Sequence, residues 1–376
     1  MDIRKIMIYG FIILIFLIIG LLMIPGLYTD FLWFGSLGIS SVFITIINTQ
    51  LTLGILTALF FFSVLYVNFR IIKRILRKEG IEQRNADDKM ISMVFVIFAL
   101  IAGLAFSSQW DVMLKFLNAT SFNVVDPVFG NDISFYVFYL PFYASIIGLL
   151  IATAVVNLII SVFIYIFYVN PFRFGSIPDI EEEVFHHIKT GFKGNIKLHL
   201  SMLAGVLFIL VGVWIWLSRY GILFSEAGVV FGAAYTDIHI TLPVLTLLSI
   251  ITMIVGVVFL GEWKIKNLKY PVIGVGVLIL VLIIGSFAGV VVQQIQVEPD
   301  EYNTERPYIQ RNIDYTLKAF DLDQVQEIPF QPNYNMSYQD LIENNATLDN
   351  IRIWDYRALK DTYSQLQLIR SYYDFN

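Results

Sequence analysis

The sequence predicts an all-α polytopic membrane bundle of seven transmembrane helices, followed by a partial extracytoplasmic region that is α-rich or irregular. The chain is 57% hydrophobic with a mean hydropathy of +0.72, and it contains several long apolar runs without a charge. About 20 residues of helix cross a hydrocarbon core of about 30 Å. Because lipid offers the backbone no hydrogen bonds, and because the runs do not alternate as barrel strands do, we expect helices.

Seven apolar runs reach the length of a membrane crossing. The first run follows Arg4 and Lys5 and ends at Pro25. It is longer than the apolar core of most signal peptides and no cleavage site of small residues follows it, so we expect an uncleaved anchor. The seven predicted spans cover residues 6–24, 48–69, 90–106, 142–168, 200–217, 241–260 and 272–292.

The distribution of positive charge predicts the orientation. Sixteen of the 25 Lys and Arg residues lie in segments on one side of these spans, whereas the short loops on the other side contain only Lys115 and Arg219. Cytoplasmic loops of membrane proteins are enriched in Lys and Arg. We therefore expect a multi-pass protein of the cell membrane, with its amino terminus in the cytoplasm and its carboxyl terminus outside.

Two features are predicted in the loop before the fourth span. Residues 109–117 place apolar side chains at helical spacing, which predicts a helix lying in the outer membrane interface. Residues 132–141 form an aromatic stretch that is typical of a membrane-interface anchor. Because proline interrupts helices, Pro141 is expected to separate this stretch from the fourth span.

The composition changes after residue 292, so we divide the chain into a transmembrane domain, 1–292, and the start of an extracytoplasmic soluble domain, 293–376. The second part has 14 acidic and 7 basic residues, and only 17 of its 84 residues are Leu, Ile or Val. That aliphatic share is low for a self-sufficient core. We expect this domain to be incomplete and to need more chain, the membrane part or a partner to fold well.

Several motifs resemble the large prokaryotic membrane proteins grouped as uncharacterised protein family 0182. The motifs are YTDFLWF at 28–34, SVF at 41–43, DPVFGNDISFYVF at 126–138, VEPDE at 297–301, ERPYI at 305–309, NI at 312–313, IRIWD at 351–355 and QLQLIRSYY at 365–373. The resemblance implies seven amino-terminal spans and a large extracytoplasmic region. Family members are longer, so it also implies a truncated or split member. Asp300 and Ile353 depart from the family pattern, and the resemblance implies no activity or catalytic residue.

Polar residues within the predicted spans offer few candidates for transport. No predicted span contains Asp, Glu, Lys, Arg or His, which argues against a proton relay. Asn157, with Thr153 and Ser161 one turn away on either side, forms a polar stripe. Hydrogen bonding between helices is the favoured interpretation of the stripe, and a substrate path is the alternative. Gly285 and Gly289 favour close helix packing, with either an internal partner or a second protomer.

Other groups of polar residues suggest metal or acid–base chemistry only weakly. Adjacent histidines on a helix point about 100° apart, which favours a solvated amphipathic helix over a zinc site. Asp and Glu side chains at 321–327 suggest a calcium loop, but the glycine that such a loop requires is missing. A second cluster of carboxylates, at 300–305 after the seventh span, is expected to be solvated surface. Three glycosylation sequons fall on the predicted outside. These residues are Glu182, Glu183, His186, His187 and His199 for zinc; Asp321, Asp323 and Glu327 for calcium; Asp300, Glu301 and Glu305 for the cluster; and Asn118, Asn335 and Asn345 for the sequons.

The functional expectation is therefore a membrane anchor that presents an extracytoplasmic domain with a binding or envelope-assembly role. The alternative is a transporter or channel component that uses a polar path between helices. Cysteine is absent, and we assign no catalytic, cofactor or metal residues and no enzymatic activity to this portion. The expected partners are the lipid bilayer and either a second copy or an envelope protein, and no nucleic acid.

Overall fold

A computed structural model describes residues 24–80, 85–169, 194–262, 269–330, 332, 334–351 and 355–367 of this chain. The all-α prediction is confirmed, because these residues form helices, turns and loops, with one isolated β-bridge between Val125 and Asp132 and no strand. The chain divides into two compact units, residues 1–316 and 317–376.

Long helices dominate the first unit, and a helical segment at 24–36 precedes them. We number the helices in chain order. They are α1 Ser40–Lys78, α2 Asn85–Ser107, α3 Trp110–Leu117, α4 Leu140–Val169, α5 Gly194–Ser218, α6 Leu242–Leu260, α7 Lys269–Val292 and α8 Glu301–Ala319.

Five helical stretches in the described part are long and apolar enough to cross a membrane, and a sixth is added if α2 and α3, bent by 56°, form one span. In none of the five is more than 33% of the most apolar window buried, so most of their apolar side chains face outward. Soluble proteins rarely expose so much contiguous apolar surface to water. The fold therefore indicates a membrane protein. The predicted first span, 6–24, lies almost wholly outside the described residues, so the number seven stays a prediction.

The prediction that Pro141 separates the aromatic stretch from the fourth span is wrong. Residues 135–139 form a π-helical turn that continues directly into α4, and the Leu140 N–H donates to the Phe135 carbonyl. Proline normally clashes with the carbonyl four residues earlier, and a widened turn moves that carbonyl away. Two further π turns, at 237–241 and 293–297, are likewise followed two residues later by a proline.

The third π turn also joins α7 to α8. Residues 269–319 form a continuous helical stretch of 51 residues that includes the π turn and a short 3-10 turn at 298–300. The first compact unit ends within α8. The helix thus continues past residue 293, where the sequence changes composition.

The helices of the first unit pack in a row, with α1 between α2 and α4, α5 between α4 and α6, and α7 against α6. A cluster of buried side chains joins α1, α2, α4 and α5 at one end of this row. Its members are Phe61, Leu65, Phe69, Ile72, Leu76, Phe95, Ala99, Ile164, Tyr165 and Ile196. Repeats of four, four, three and four residues place the α1 members on one helix face.

Glycines set the closest approaches between neighbouring helices. Gly54 faces Gly103 where α1 meets α2, and Gly205 faces Gly256 where α5 meets α6. A Cβ atom at Gly256 would lie 2.8 Å from the carbonyl oxygen of Gly205, which is closer than such atoms normally approach. Small residues therefore allow the backbones to touch, as in other membrane helices. Gly285 packs internally against Val244, whereas nothing lies close to Gly289.

The second unit contains three short helices, α9 Tyr338–Glu343, α10 Asn345–Asp349 and α11 Tyr356–Gln367. Ser337 and Asp340 form a capping box at the start of α9, with hydrogen bonds in both directions. None of the described residues of this unit is buried. Local hydrogen bonds, and no apolar core, hold the described helices of this unit.

We expect Gly256→Val to destabilise the protein, because the new side chain forces α5 and α6 apart. Overpacking of this kind costs about 1–3 kcal/mol. Gly276→Val is the matched control, because Gly276 is on α7 with no atom within 4 Å of the added Cβ. Thermal unfolding in detergent measures both variants. Equal midpoints for the two variants would contradict the proposed contact.

Candidate functional site

An apolar cleft lies in the first unit, where α4 begins and α8 continues from α7. Three segments line it, at 126–137, 223–233 and 308–315, and its volume is about 440 Å³. Small-molecule sites commonly have volumes of about 300–1,000 Å³ and mainly apolar walls. The cleft is therefore a candidate binding site.

Asp126 organises the first wall. The residue is 7% exposed, and its carboxylate accepts hydrogen bonds from the backbone N–H groups of Phe129 at 2.6 Å and Asn131 at 2.9 Å. The Val128 N–H, at 2.9 Å, and the Tyr136 hydroxyl, at 2.6 Å, also donate to it. Four donors around one carboxylate pin the turn to the start of the following helix. Gly130 completes the turn with a φ of 71°, a conformation that glycine adopts without strain.

Asp132 organises the preceding residues in the same way. It accepts hydrogen bonds from the Ser121 hydroxyl at 2.6 Å and from the Asn123 N–H at 2.8 Å. The hydrogen bonds from Ser121, followed by those from Ser134, hold the pKa of the Asp132 carboxyl well below its ordinary value. This loop is therefore held by charged acceptors rather than by a core.

The pKa of Asp126 reflects two opposing effects. Burial acts to raise it, but the hydrogen bonds from Phe129, Tyr136 and the other donors together hold the pKa below its ordinary value. The folded loop therefore favours the ionised carboxylate. The hydrogen bonds to this carboxylate come from the loop itself and from Tyr136.

An aromatic cluster joins this wall to the second. The Tyr220 ring lies 4.8 Å from the ring of Phe129 and 5.0 Å from that of Phe135, with both pairs in edge-to-face arrangements. Tyr220 belongs to the 3-10 turn that follows α5. Edge-to-face pairs contribute about 0.5–1.5 kcal/mol each beyond the area they bury. The two loops are thus packed against each other.

Helix α8 forms the third wall and is bonded to both loops. The Tyr315 hydroxyl donates to the Val125 carbonyl at 2.6 Å, and Asn312 Nδ2 donates to the Phe231 carbonyl at 2.8 Å. About two turns before Asn312, both carboxylate oxygens of Glu305 accept from the Tyr235 N–H at 3.2 Å. These bonds join residues far apart in sequence and make the cleft a preformed feature.

The lining combines apolar surface with one available cation. The guanidinium of Arg311 is exposed, and its nearest described partner is the Tyr308 ring, whose centre is 5.3 Å from Cζ. No carboxylate among the described residues pairs with Arg311. An apolar group with an anionic end would satisfy both parts of this lining.

The predicted polar stripe on α4 lies between helices. Asn157 is 3% exposed, and Ser161 is fully buried. Asn68 of α1 donates to the Ser161 hydroxyl at 2.8 Å, while Asn157 Nδ2 donates to the Thr153 carbonyl of its own helix at 3.1 Å. The direct bond between helices is therefore made by Ser161. Asn157 Oδ1 accepts no hydrogen bond from the described residues.

Two sequence predictions about charged groups need correction. His199 is grouped by sequence with residues of a solvated amphipathic helix, but it lies within α5, is 7% exposed, and shares a hydrogen bond of 2.9 Å with the Tyr165 hydroxyl. The bundle thus contains a buried ionisable group. Glu305 was assigned to solvated surface, but it is 2% exposed because it binds the Tyr235 N–H, whereas Asp300 and Glu301 are exposed.

The remaining candidates are dispersed. Glu182, Glu183, His186 and His187 lie outside the described residues. Asp321 bonds to Gln324, and no group of three or more His, Asp or Glu side chains in the described part could hold a metal ion. Asn118, Asn335 and Asn345 are exposed. Glycosylation at these positions stays a prediction.

Sequence reasoning missed the cleft and its key residues, Asp126 and Arg311. The run DPVFGND contained a partial signal, because Asp followed by Pro and a nearby Gly indicates a tight turn. Nothing local links that turn to Arg311, which lies 185 positions later. Only the folded chain brings them to one cavity.

These features indicate a helical membrane protein with a cleft at one end of its helices. The chain belongs to the uncharacterised protein family UPF0182, whose sequence profile matches residues 7–376.

Relatives of known sequence occur in distant prokaryotes. A UPF0182 protein of Methanospirillum hungatei is 38% identical over all of this chain, and one of Trichodesmium erythraeum is 34% identical over 93% of it. The chain spans 42% and 38% of the lengths of these relatives. No solved structure is similar.

We expect Asp126→Asn to destabilise the first wall of the cleft, because an amide lacks the charge and one of the acceptor oxygens that bind four donors. The expected loss is about 1–3 kcal/mol at neutral pH. Because the folded pKa is below the unfolded one, this contribution is complete above about pH 4 and falls as pH decreases through the folded value. The difference between the variant and the parent should therefore narrow in acid.

Thermal unfolding over a series of pH values measures this difference. Asp111→Asn is the matched control, because Asp111 lies in the first turn of α3, with a side chain that is 42% exposed and forms a surface ion pair with Lys115. Such surface pairs contribute about 0–1 kcal/mol. A similar loss for both variants would contradict the role of Asp126.

Proposed function

We propose that this chain is the membrane-anchored portion of a cell-membrane protein, that it crosses the bilayer seven times, and that it presents the cleft on the extracytoplasmic side. The amino terminus lies in the cytoplasm and the carboxyl terminus outside. The cleft binds an amphiphilic envelope molecule with an anionic group. The proposal assigns no catalytic step to these residues.

The observation behind the binding role is the construction of the cleft. Three segments, separated by up to 190 residues in sequence, are bonded to one another by Tyr315, Asn312 and Glu305. Preformed walls lower the entropic cost of binding, because fewer side chains and loops have to become ordered when a ligand binds. An apolar lining beside the exposed Arg311 favours an alkyl or isoprenoid chain that ends in a phosphate or carboxylate.

The charge pattern supports the orientation. The cleft is at the end of the helices where Lys115 and Arg219 are the only cations of the short loops. Two contacts hold Arg219 there: its Cζ lies 3.4 Å from the centre of the Trp216 ring of α5, and its Nη1 donates to the Thr246 hydroxyl of α6. Cations concentrated at the opposite end favour the cytoplasm for that end.

A transport path along the Asn157 stripe is not favoured. The polar side chains bond mainly to one another and to backbone carbonyls. A groove of about 450 Å³ beside Asn157 has apolar and exposed walls, such as Val67 and Val206. Such walls suit lipid rather than a hydrated path.

The orientation predicts a difference in cysteine labelling, which is simple to measure because the chain has no cysteine. A membrane-impermeant thiol reagent should label Tyr334→Cys in intact cells, since Tyr334 is 90% exposed on the predicted outside. Arg77→Cys should react only after the membrane is opened. Labelling of Arg77→Cys but not Tyr334→Cys in intact cells would refute the orientation.

The binding role predicts that octyl phosphate raises the thermal unfolding midpoint of the full chain in lipid nanodiscs. Arg311→Gln should weaken this effect about tenfold in half-saturating concentration, because a charged hydrogen bond contributes about 1.5–3 kcal/mol. Octyl glucoside, which has the same chain and a neutral head, should have a smaller effect that Arg311→Gln leaves unchanged.

Arg306→Gln is the matched control for this measurement. Arg306 is exposed on the same helix and does not line the cleft. Equal weakening by both substitutions would mean that octyl phosphate responds to the charge of α8 in general, and would contradict binding in the cleft.

A further inference from the structure

A second cavity, of about 490 Å³, lies where the carboxyl end of α1 packs beside the first turns of α2. Four cations of α1 line it: Arg70, Lys73, Arg74 and Arg77. Their spacing of three, four and seven residues places them on one helix face. They therefore converge on a single space.

The four cations differ in whether a carboxylate lies beside them. Lys73 forms an ion pair with Asp88 of α2, in which the side chains are 19% and 30% exposed. Arg70 is exposed, and its Nη1 donates to the Tyr66 hydroxyl at 3.2 Å. No described carboxylate pairs with Arg70, Arg74 or Arg77. Among the described residues, one carboxylate therefore faces four cations, and three guanidinium groups have no carboxylate partner.

The position of this cavity along α1 matches the edge of a bilayer. The predicted span that precedes it, 48–69, has 22 residues and no charge. At 1.5 Å per residue it is about 33 Å long, close to the thickness of a hydrocarbon core. Arg70 is the first residue beyond this run, and the basic face then extends for about 10 Å, which is comparable to one headgroup layer.

The lining has the amphiphilic character of a lipid. Val67 and Ile71 also line the cavity, and they are 57% and 42% exposed. Guanidinium groups bind phosphate oxygens in a bidentate way. Basic pockets between membrane helices on the cytoplasmic side bind anionic headgroups.

We propose that this cavity is a binding site for the phosphate of an anionic phospholipid headgroup, which Arg70, Arg74 and Arg77 hold while the acyl chains lie along Val67 and Ile71. The site is separate from the cleft beside Arg311 and does not depend on ligand binding there, but it rests on the proposed membrane crossing and orientation. A free phosphate ion shares the headgroup chemistry but makes no use of the apolar lining.

The test uses the full chain in phosphatidylcholine nanodiscs with soluble short-chain probes. Dihexanoyl phosphatidylglycerol should bind saturably, and dihexanoyl phosphatidylcholine and inorganic phosphate should bind far more weakly. Arg74→Gln and Arg77→Gln should each weaken phosphatidylglycerol binding about fivefold, which corresponds to one interfacial charge. Thermophoresis or thermal shift measures the binding curves.

Lys197→Gln is the matched control, because Lys197 is an exposed cation on the same predicted side but outside the cavity. Equal weakening by Lys197→Gln would overturn the site in favour of general surface charge. Phosphate binding as tight as that of phosphatidylglycerol would overturn the lipid assignment. If Arg74→Gln does not fold, the comparison is made with Arg77→Gln, which lies in the last turn of α1. Unchanged phosphatidylglycerol binding by that variant would also overturn the proposal.

Discussion

Hydrocarbon offers no hydrogen-bonding partner to a peptide group, and this constraint determines most of the first unit. The backbone must satisfy itself, so the apolar runs form long helices whose outer faces stay apolar. Proline is accommodated at the helix ends by widened turns, as at residues 135–139. Where helices meet, Gly205 and Gly256 allow their backbones to touch, since burial of apolar surface gains little when the surroundings are also apolar.

At the ends of the helices, side-chain hydrogen bonds and charged groups organise the structure. At one end, Asp126 and Asp132 each gather several donors, and α8 is bonded to two loops by Tyr315 and Asn312. A rigid apolar cleft results, with the charge of Arg311 beside it. At the carboxyl end of α1, the arginines on one helix face have no ion-pair partner among the described carboxylates. Both ends therefore present cations beside apolar surface, which is a suitable arrangement for molecules that are partly lipid.

The helices were largely predictable, because length and apolar content are local properties of the chain. Pro141 was misjudged since the effect of a proline depends on the turn in front of it. His199 and Glu305 were misjudged because their partners, Tyr165 and the Tyr235 N–H, are 34 and 70 residues away. The polar stripe on α4 was identified from its spacing, but its direct partner on α1, Asn68, was not.

The sequence by itself determined that the chain is helical and apolar, where its charges are concentrated and to which family it is similar, because each of these follows from composition and order along the chain. The tertiary structure decided which polar groups are buried, which glycines touch and where cavities form. Asp126 and Arg311 line one cleft although 185 positions separate them. No periodic pattern in the sequence predicts that these two residues lie close together, since their proximity depends on how whole helices pack.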